Sequence, residues 1–187
     1  MASSGADSVD VVGYSAGGVV ARWWVRFDDG APVARRVVTI SSPHHGTQVA
    51  LLAAGLAPDA CPVGCQQLAP DSDLLRRLNA GDETPAGPTW VSLWSADDQT
   101  VTPPDSAVLD GALDIRMQDI CPDLTLSHGQ MPQAGAVVGS SSPPSTTPRC
   151  RHRPAPCAAR AEPRPSGQSV MSLVTKLAQA APRNTTR

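Results

Sequence analysis

The chain has 187 residues, the size of one ordinary domain, with 15 basic and 17 acidic residues and a net charge of -2. No stretch of about 18 uninterrupted apolar residues occurs, so we expect no transmembrane segment. The basic residues are unevenly placed, because residues 149–187 hold eight of them against the single acidic residue Glu162. No aromatic residue lies among those charges, and we therefore do not expect nucleic-acid binding.

The first predicted element is a strand that runs into a tight turn and then a helix. Residues 9–12 are rich in valine, and they lead into Gly-Tyr-Ser-Ala-Gly at residues 13–17. Large apolar residues then recur at helical spacing: Val19, Val20, Trp23, Trp24 and Phe27. An Asp-Asp-Gly run at residues 28–30 is expected to end the helix.

Three further strands are predicted, at residues 35–40, 90–94 and 113–117. Between the first two of these, a short helix is expected around residues 74–78, with Asp71 or Ser72 as its cap. Strands that alternate with helical stretches indicate an α/β fold, a parallel sheet of about four strands flanked by helices.

The small apolar residues of the 49–57 stretch allow two interpretations. The stretch is either a lid or part of an acyl pocket, or a helix packed on the sheet. We favour the packed helix, because small apolar residues suit a close contact between a helix and a sheet.

Ser15 is the strongest candidate for a catalytic residue. Gly-x-Ser-x-Gly between a strand and a helix is the pattern of a nucleophile elbow. The alternative interpretation is a glycine-rich turn in which the serine has no catalytic role. We expect Ser15 to adopt a strained backbone conformation, with Gly13 and Gly17 avoiding collisions with neighbouring backbone.

A nucleophilic serine needs a histidine to take its proton and a carboxylate to orient that histidine. In α/β-hydrolases the chain order is serine, acid, histidine. Asp97 and Asp98 follow the strand at residues 90–94, and His128 follows the strand at residues 113–117. These positions predict one of the two aspartates as the acid and His128 as the base.

The other three histidines fit the role of base less well. His44 and His45 precede both candidate acids, so we expect them to shape the loop after the second strand or to border the site. His152 lies in the proline- and arginine-rich C-terminal part. The alternative for His128 itself is an exposed loop histidine without a catalytic role.

Four segments together resemble a known family, and they are residues 9–22, 42–47, 97–103 and 127–129. Over about residues 5–131 the chain is similar to secreted bacterial triacylglycerol lipases, class 2 type, of the α/β-hydrolase superfamily. The resemblance implies Asp98 as the acid, with Asp97 as the fallback. It also implies that Ser15 attacks the ester carbonyl, that His128 moves the proton, and that the backbone N–H of Ala16 holds the oxyanion.

The chain differs from that family at both ends. The family has several strands before the elbow and a second oxyanion donor on a loop there, so we expect the first strand here to become a sheet edge. Our hypothesis is that the start codon is placed too late in the gene and that a shift of the reading frame near residues 132–138 produced the tail. A basic tail that is attracted to anionic membranes is the rival explanation.

These inferences give a partial lipase domain at residues 1–131 and a mostly disordered tail at 132–187. The expected function is hydrolysis of carboxylic esters, with a lipid or other ester as substrate and with peripheral contact with a lipid interface. No cofactor or metal is implied. An inactive truncated fragment, and an acyltransferase or deacylase, remain alternatives.

The sequence does not settle where the protein is located or how its cysteines pair. The family resemblance implies an extracellular protein, although no signal peptide is visible in the chain. Cys61 and Cys65 are close enough to form a small disulfide loop if they are oxidised, and Cys121, Cys150 and Cys157 have no evident partners in the sequence.

Overall fold

The computed structural model describes residues 5–138, which form a parallel four-stranded sheet flanked by helices. The strands are β1 (Val9–Tyr14), β2 (Ala34–Ile40), β3 (Thr89–Trp94) and β4 (Leu113–Arg116), in that order across the sheet. The helices are α1 (Ala16–Phe27), α2 (Gln48–Leu56), α3 (Val63–Gln66), α4 (Asp73–Leu78), α5 (Met117–Ile120) and α6 (Gly135–Val138). Short 3-10 helices occupy Pro58–Ala60, Pro104–Ala107 and His128–Gln133. The predicted α/β class is confirmed.

The two central strands are buried on both faces. Val37 of β2 and Trp90 of β3 pack on one side, in a cluster that includes α1 residues. Their chain neighbours Val38 and Val91 pack on the other side, with the apolar residues that follow β4. Side chains alternate between the two faces of a strand, so a run of β-branched residues fills both layers at once.

As predicted, β1 lies at an edge of the described sheet, where it pairs with β2. The side chain of Val11 packs toward α1, whereas that of Val12 is 57% exposed. A strand with the composition of a buried strand therefore leaves one apolar face and one row of backbone groups uncovered in the described part of the chain.

The structure corrects the interpretation of the 49–57 stretch as a helix packed on the sheet. α2 does form there, but Ala50 is its one buried residue, and its main contacts are with α3 and the Pro58–Ala60 turn. The apolar side chains of α2 therefore point largely to solvent. Composition cannot distinguish these cases, because a helix that is apolar all round does not indicate which face is covered.

The predicted Cys61–Cys65 pair is a disulfide, with an S–S distance of 2.06 Å and a Cα–Cα distance of 5.3 Å. It closes the loop between the Pro58–Ala60 turn and α3. Among residues 5–138 there is no helix long and apolar enough to cross a membrane, and no cluster of side chains that could hold a metal ion.

Packed structure extends to the last described residues, because Met131 and Val137 are buried in the same cluster as Val38 and Val91. Of the expected tail at residues 132–187, the structure describes 132–138, and residues 139–187 lie outside the described residues. His152, Cys150 and Cys157 belong to that part of the chain.

Candidate active site

Ser15 lies in the sharp turn between β1 and α1, and its backbone is strained. Its φ of 53° and ψ of -129° fall in a region that non-glycine residues rarely adopt. The turn is held by two backbone hydrogen bonds, from Ser15 N–H to the Ile40 carbonyl (2.9 Å) and from Gly18 N–H to the Ser15 carbonyl (3.1 Å). This geometry matches the elbow that the sequence predicts.

Two glycines allow the elbow to pack closely, and they are Gly13 and Gly18. A Cβ on Gly13 would lie 2.6 Å from the backbone of Gly18, and a Cβ on Gly18 would lie 2.1 Å from Ser42 Oγ. The collision expected at Gly17 is not found, because a Cβ there would meet nothing within 4 Å. The turn carries α1 close to β2, so the tight approach falls one residue later than the sequence pattern suggests.

The structure brings the three predicted residues into one hydrogen-bonded line. Ser15 Oγ lies 3.0 Å from His128 Nε2, and His128 Nδ1 lies 2.8 Å from Asp98 Oδ2. Residues far apart in the sequence therefore meet at the carboxyl ends of β1 and β3. In open α/β sheets, ligands bind at this edge.

Asp98 is almost fully buried, with 4% of its surface exposed, and a turn holds it in place. Its Oδ1 accepts hydrogen bonds from the backbone N–H groups of Thr100 and Val101, both at 2.9 Å. This leaves Oδ2 for His128. The neighbouring Asp97, the fallback acid, directs its Oδ2 to Gln118 Nε2 at 3.1 Å instead.

These contacts determine which nitrogen of His128 carries the proton. A carboxylate only accepts hydrogen bonds, so Nδ1 must donate to Asp98, and Nε2 is left with a lone pair toward Ser15 Oγ. The Tyr14 ring lies beside the imidazole with its centroid 5.0 Å away, and the Tyr14 hydroxyl donates to the His128 carbonyl at 3.2 Å. Burial, and then the negative charge of Asp98, raise the pKa of Tyr14.

The loop at residues 41–47 is attached to the loop that carries Asp98. Thr47 Oγ1 donates to the Thr100 carbonyl at 2.6 Å and accepts from Thr102 N–H at 3.0 Å. The first backbone N–H of α2, that of Gln48, donates to the Thr102 carbonyl at 2.8 Å. α2 therefore begins next to the acid loop.

His44 and His45 shape the 41–47 loop, and they do so differently. His44 is fully buried with its Nε2 3.0 Å from Thr39 Oγ1, and burial lowers the pKa of its imidazole well below the ordinary value. His45 Nε2 lies 2.8 Å from Glu83 Oε1 at the surface. Neither histidine contacts Ser15 in the structure, in line with the expectation that they are not the base.

Arg22 of α1 is fully buried and connects the elbow helix to the chain after α4. Its guanidinium donates to Asn79 Oδ1 at 2.9 Å and to the carbonyls of Glu83 (3.1 Å) and Leu78 (3.3 Å). Asn79 in turn donates to the His44 carbonyl at 2.9 Å. Burial lowers the pKa of Arg22 to about 10.

A match to a protein-family model shows which family the chain belongs to. The family model described as Lipase (class 2) matches residues 2–132. The chain belongs to the class 2 lipase family. Comparison with curated proteins gives no match.

Comparison with solved structures matches this class 2 lipase family member to two lipases, the first of which has a similar fold. Lipase B of Aspergillus fumigatus matches with a TM-score of 0.54 at 24% identity over 65% of this chain and 32% of that protein. Lipase BlEst2 of Bacillus licheniformis in its mature form matches with a TM-score of 0.49 at 16% identity, over 66% of this chain and 60% of that protein. The chain thus spans less than two thirds of either protein.

Reasoning from the sequence missed Gln118 and Arg22. Gln118 occupies a short helix after β4 and has no motif around it, and Arg22 resembles any polar residue on an amphipathic helix. Thr47 belongs to the Ser-Pro-His-His-Gly-Thr segment, so its motif was visible, but its contact with the acid loop depends on tertiary structure.

Proposed function

We propose that this chain hydrolyses carboxylic esters, with Ser15 as the nucleophile, His128 as the general base and acid, and Asp98 as the acid that orients His128. The observation that carries the proposal is the continuous line from Ser15 Oγ through His128 to Asp98, with gaps of 3.0 Å and 2.8 Å. Membership of the class 2 lipase family supports it.

The mechanism follows from the proton positions. The lone pair of His128 Nε2 takes the hydroxyl proton as Ser15 Oγ attacks the ester carbonyl, and the resulting imidazolium returns that proton to the leaving alcohol. Water then repeats the sequence on the acyl-enzyme and releases the acid. Asp98 stabilises the imidazolium through Oδ2 while the turn at Thr100 and Val101 holds its other oxygen.

We assign one oxyanion donor, the backbone N–H of Ala16. Ala16 is the first residue of α1, where backbone N–H groups have no partner within the helix and the helix dipole favours negative charge. An oxyanion donor of this kind contributes about 3–4 kcal/mol to transition-state stabilisation, and loss of one slows acyl transfer roughly a hundred- to a thousandfold.

The first experiment is hydrolysis of p-nitrophenyl butyrate by the 187-residue chain, beside Ser15→Ala and Ser8→Ala. Ser8 is an exposed serine just before β1, and its loss controls for the substitution itself. We expect activity in the parent and in Ser8→Ala and none in Ser15→Ala. We also expect diethyl p-nitrophenyl phosphate to transfer one diethylphosphoryl group to Ser15 Oγ, with release of p-nitrophenolate. Soluble, folded parent protein that neither hydrolyses the ester nor takes up the phosphoryl group would refute the proposal.

We further propose that the ester is a lipid and that the chain meets it at an interface. Large apolar side chains on α2 and α3 are 44–83% exposed, and they are Val49, Leu51, Leu52, Leu56 and Val63. α2 carries no charged residue and starts beside the acid loop, so its apolar surface borders the proposed site. Such a patch is costly in water and is relieved by contact with acyl chains.

The double variant Leu52→Ser with Leu56→Ser tests this second proposal. We expect hydrolysis of emulsified tributyrin to fall while hydrolysis of soluble p-nitrophenyl acetate stays near the parent value, because neither side chain touches Ser15, His128 or Asp98. Equal activity of parent and variant on the emulsion would refute interfacial contact through α2.

We propose an extracellular location from the disulfide between the Pro58–Ala60 turn and α3. The Cys61–Cys65 disulfide is typical of proteins in oxidising compartments. Mass spectrometry of the protein from culture medium and from cell lysate should find the oxidised pair in the medium. Recovery of the protein in the lysate alone, with both thiols reduced, would contradict this location.

A further inference from the structure

Gln118 lies in α5 between the loop that carries Asp98 and the loop that carries His128, and its side-chain amide contacts both. Its Oε1 accepts from the backbone N–H of Ala96 at 3.0 Å. Its Nε2 lies 3.0 Å from Ser95 Oγ, 3.1 Å from Asp97 Oδ2 and 3.0 Å from the Leu124 carbonyl. One side chain thus holds three consecutive residues of the acid loop and one residue of the histidine loop.

A second bridge between the two loops runs through Ser95, whose side chain contacts Gln118. The buried hydroxyl of Ser95 donates to the Leu126 carbonyl at 2.8 Å and accepts from Asp97 N–H at 3.2 Å. Leu126 precedes His128 by two residues, just as Ala96 precedes Asp98 by two. The two bridges therefore hold the backbone two residues before each of the side chains that form the 2.8 Å contact.

We propose that Gln118 is a positioning residue that sets the placement of His128 relative to Asp98. Its consequence for activity rests on the ester hydrolysis proposed above. The amide acts through backbone and side-chain atoms of the two loops, and the hydrogen bonds described for it go to loop atoms rather than to Ser15, His128 or Asp98.

The surroundings of the amide select glutamine at this position. One N–H donor, that of Ala96, faces one side of the group, and three oxygen acceptors face the other. A glutamine matches both sides, with its two N–H donors shared among the three acceptors, whereas an ionised glutamate would place negative charge against the Leu124 carbonyl and the Asp97 carboxylate. Glutamate has the same length, so Gln118→Glu changes the chemistry with little change in shape.

We first expect Gln118→Ala to lower kcat of the 187-residue chain by roughly ten- to a hundredfold with little change in KM. A displacement of catalytic groups by about 1 Å can cost on the order of a hundredfold. Gln66→Ala is the matched control, because Gln66 donates one amide hydrogen bond to the Cys61 carbonyl at 2.9 Å and lies in α3. We expect its kcat and KM to equal those of the parent.

Gln118→Glu tests the proposal through the pH dependence of kcat, which would not change if Gln118 had only a structural role. The introduced carboxyl group can still donate one hydrogen bond when it is protonated, whereas its ionised form repels Asp97, and that neighbouring charge favours the protonated form. We expect the ratio of this variant's kcat to the parent's kcat to decline as pH rises through the ionisation of the introduced carboxyl group. Adding Asp97→Asn should reduce this decline, because an amide at residue 97 can donate to the carboxylate.

NMR of the His128 ring separates this proposal from the proposed function, because it needs no substrate. In the parent we expect a downfield Nδ1–H resonance from the hydrogen bond to Asp98, retained in Gln66→Ala and broadened or lost in Gln118→Ala. Inactive parent protein with these spectra would refute ester hydrolysis and support the role of Gln118. Identical His128 resonances and an identical kcat in parent and Gln118→Ala would overturn the role of Gln118.

Discussion

Replacing Asp98 by asparagine should reverse the proton positions on His128. The backbone N–H groups of Thr100 and Val101 both point at Oδ1, so the amide oxygen of the new side chain takes that place and its NH2 group faces His128 Nδ1. The opposite amide orientation would forfeit two hydrogen bonds of roughly 0.5–1.5 kcal/mol each and set donors against donors. His128 must then accept at Nδ1 and carry its proton on Nε2.

A proton on Nε2 leaves no lone pair for the hydroxyl of Ser15, 3.0 Å away. The corresponding aspartate-to-asparagine change in a serine protease triad lowers kcat about 10⁴-fold, and the same tautomer argument applies here. We therefore expect a loss of about 10⁴-fold, or about 5.5 kcal/mol of transition-state stabilisation.

The assay is kcat/KM on p-nitrophenyl butyrate for the parent, Asp98→Asn and Asp97→Asn, with thermal melting of each to confirm folding. Asp97→Asn keeps an oxygen that can accept from Gln118, so we expect a change of a few fold at most. More than a tenth of the parent activity in folded Asp98→Asn would refute the tautomer argument. A large loss in Asp97→Asn together with that result would assign the acid to Asp97.

Three further predictions concern stability. Gly13→Ala should strongly destabilise the chain, because its Cβ would lie 2.6 Å from the Gly18 backbone. Gly17→Ala should melt at or slightly above the melting temperature of the parent, because its Cβ would meet nothing within 4 Å. Equal melting temperatures of the two variants would contradict the packing described for the elbow. The lowered pKa of His44 means that the unfolded state binds its proton first as pH falls below about 6.5, so the free energy of unfolding should drop by up to about 1.36 kcal/mol per pH unit there. In denaturant titrations between pH 7.5 and 5, His44→Gln should lack part of this slope, and an unchanged slope would count against a buried neutral ring. Arg22→Lys keeps the charge but loses the planar fork, so at least one buried carbonyl should lose its partner at a cost of roughly 1–3 kcal/mol, measurable as a lower midpoint in urea.

Local patterns of the sequence predict much of the fold. Four runs of β-branched and apolar residues became the four strands, and Ser72, one of the two predicted caps, accepts a hydrogen bond from Leu75 N–H in α4. Ser15 occurs in a motif whose two flanking elements are adjacent in the chain. Such features depend on residues a few positions apart, so periodicity and turn chemistry are sufficient to predict them.

The environment of α2 was mispredicted because local pattern carries no information about which neighbour covers a helix. Its residues are apolar on every side, and either burial or exposure fits that composition. The hydrogen bonds from Thr47 and Gln48 to the acid loop join residues that are distant in the sequence. Only the tertiary structure decides whether the apolar side chains of α2 are buried or exposed.

The sequence by itself determined the strands, the elbow and the order of Ser15, two adjacent aspartates and His128. Tertiary structure brought Asp98, the acid that the family resemblance implied, into contact with His128, and it alone placed Gln118 between their loops. The physical reason is that adjacent side chains point in different directions from a turn. Which one meets a partner 30 residues away depends on hydrogen bonds, such as those at Thr100 and Val101, that form only when the loops are packed together.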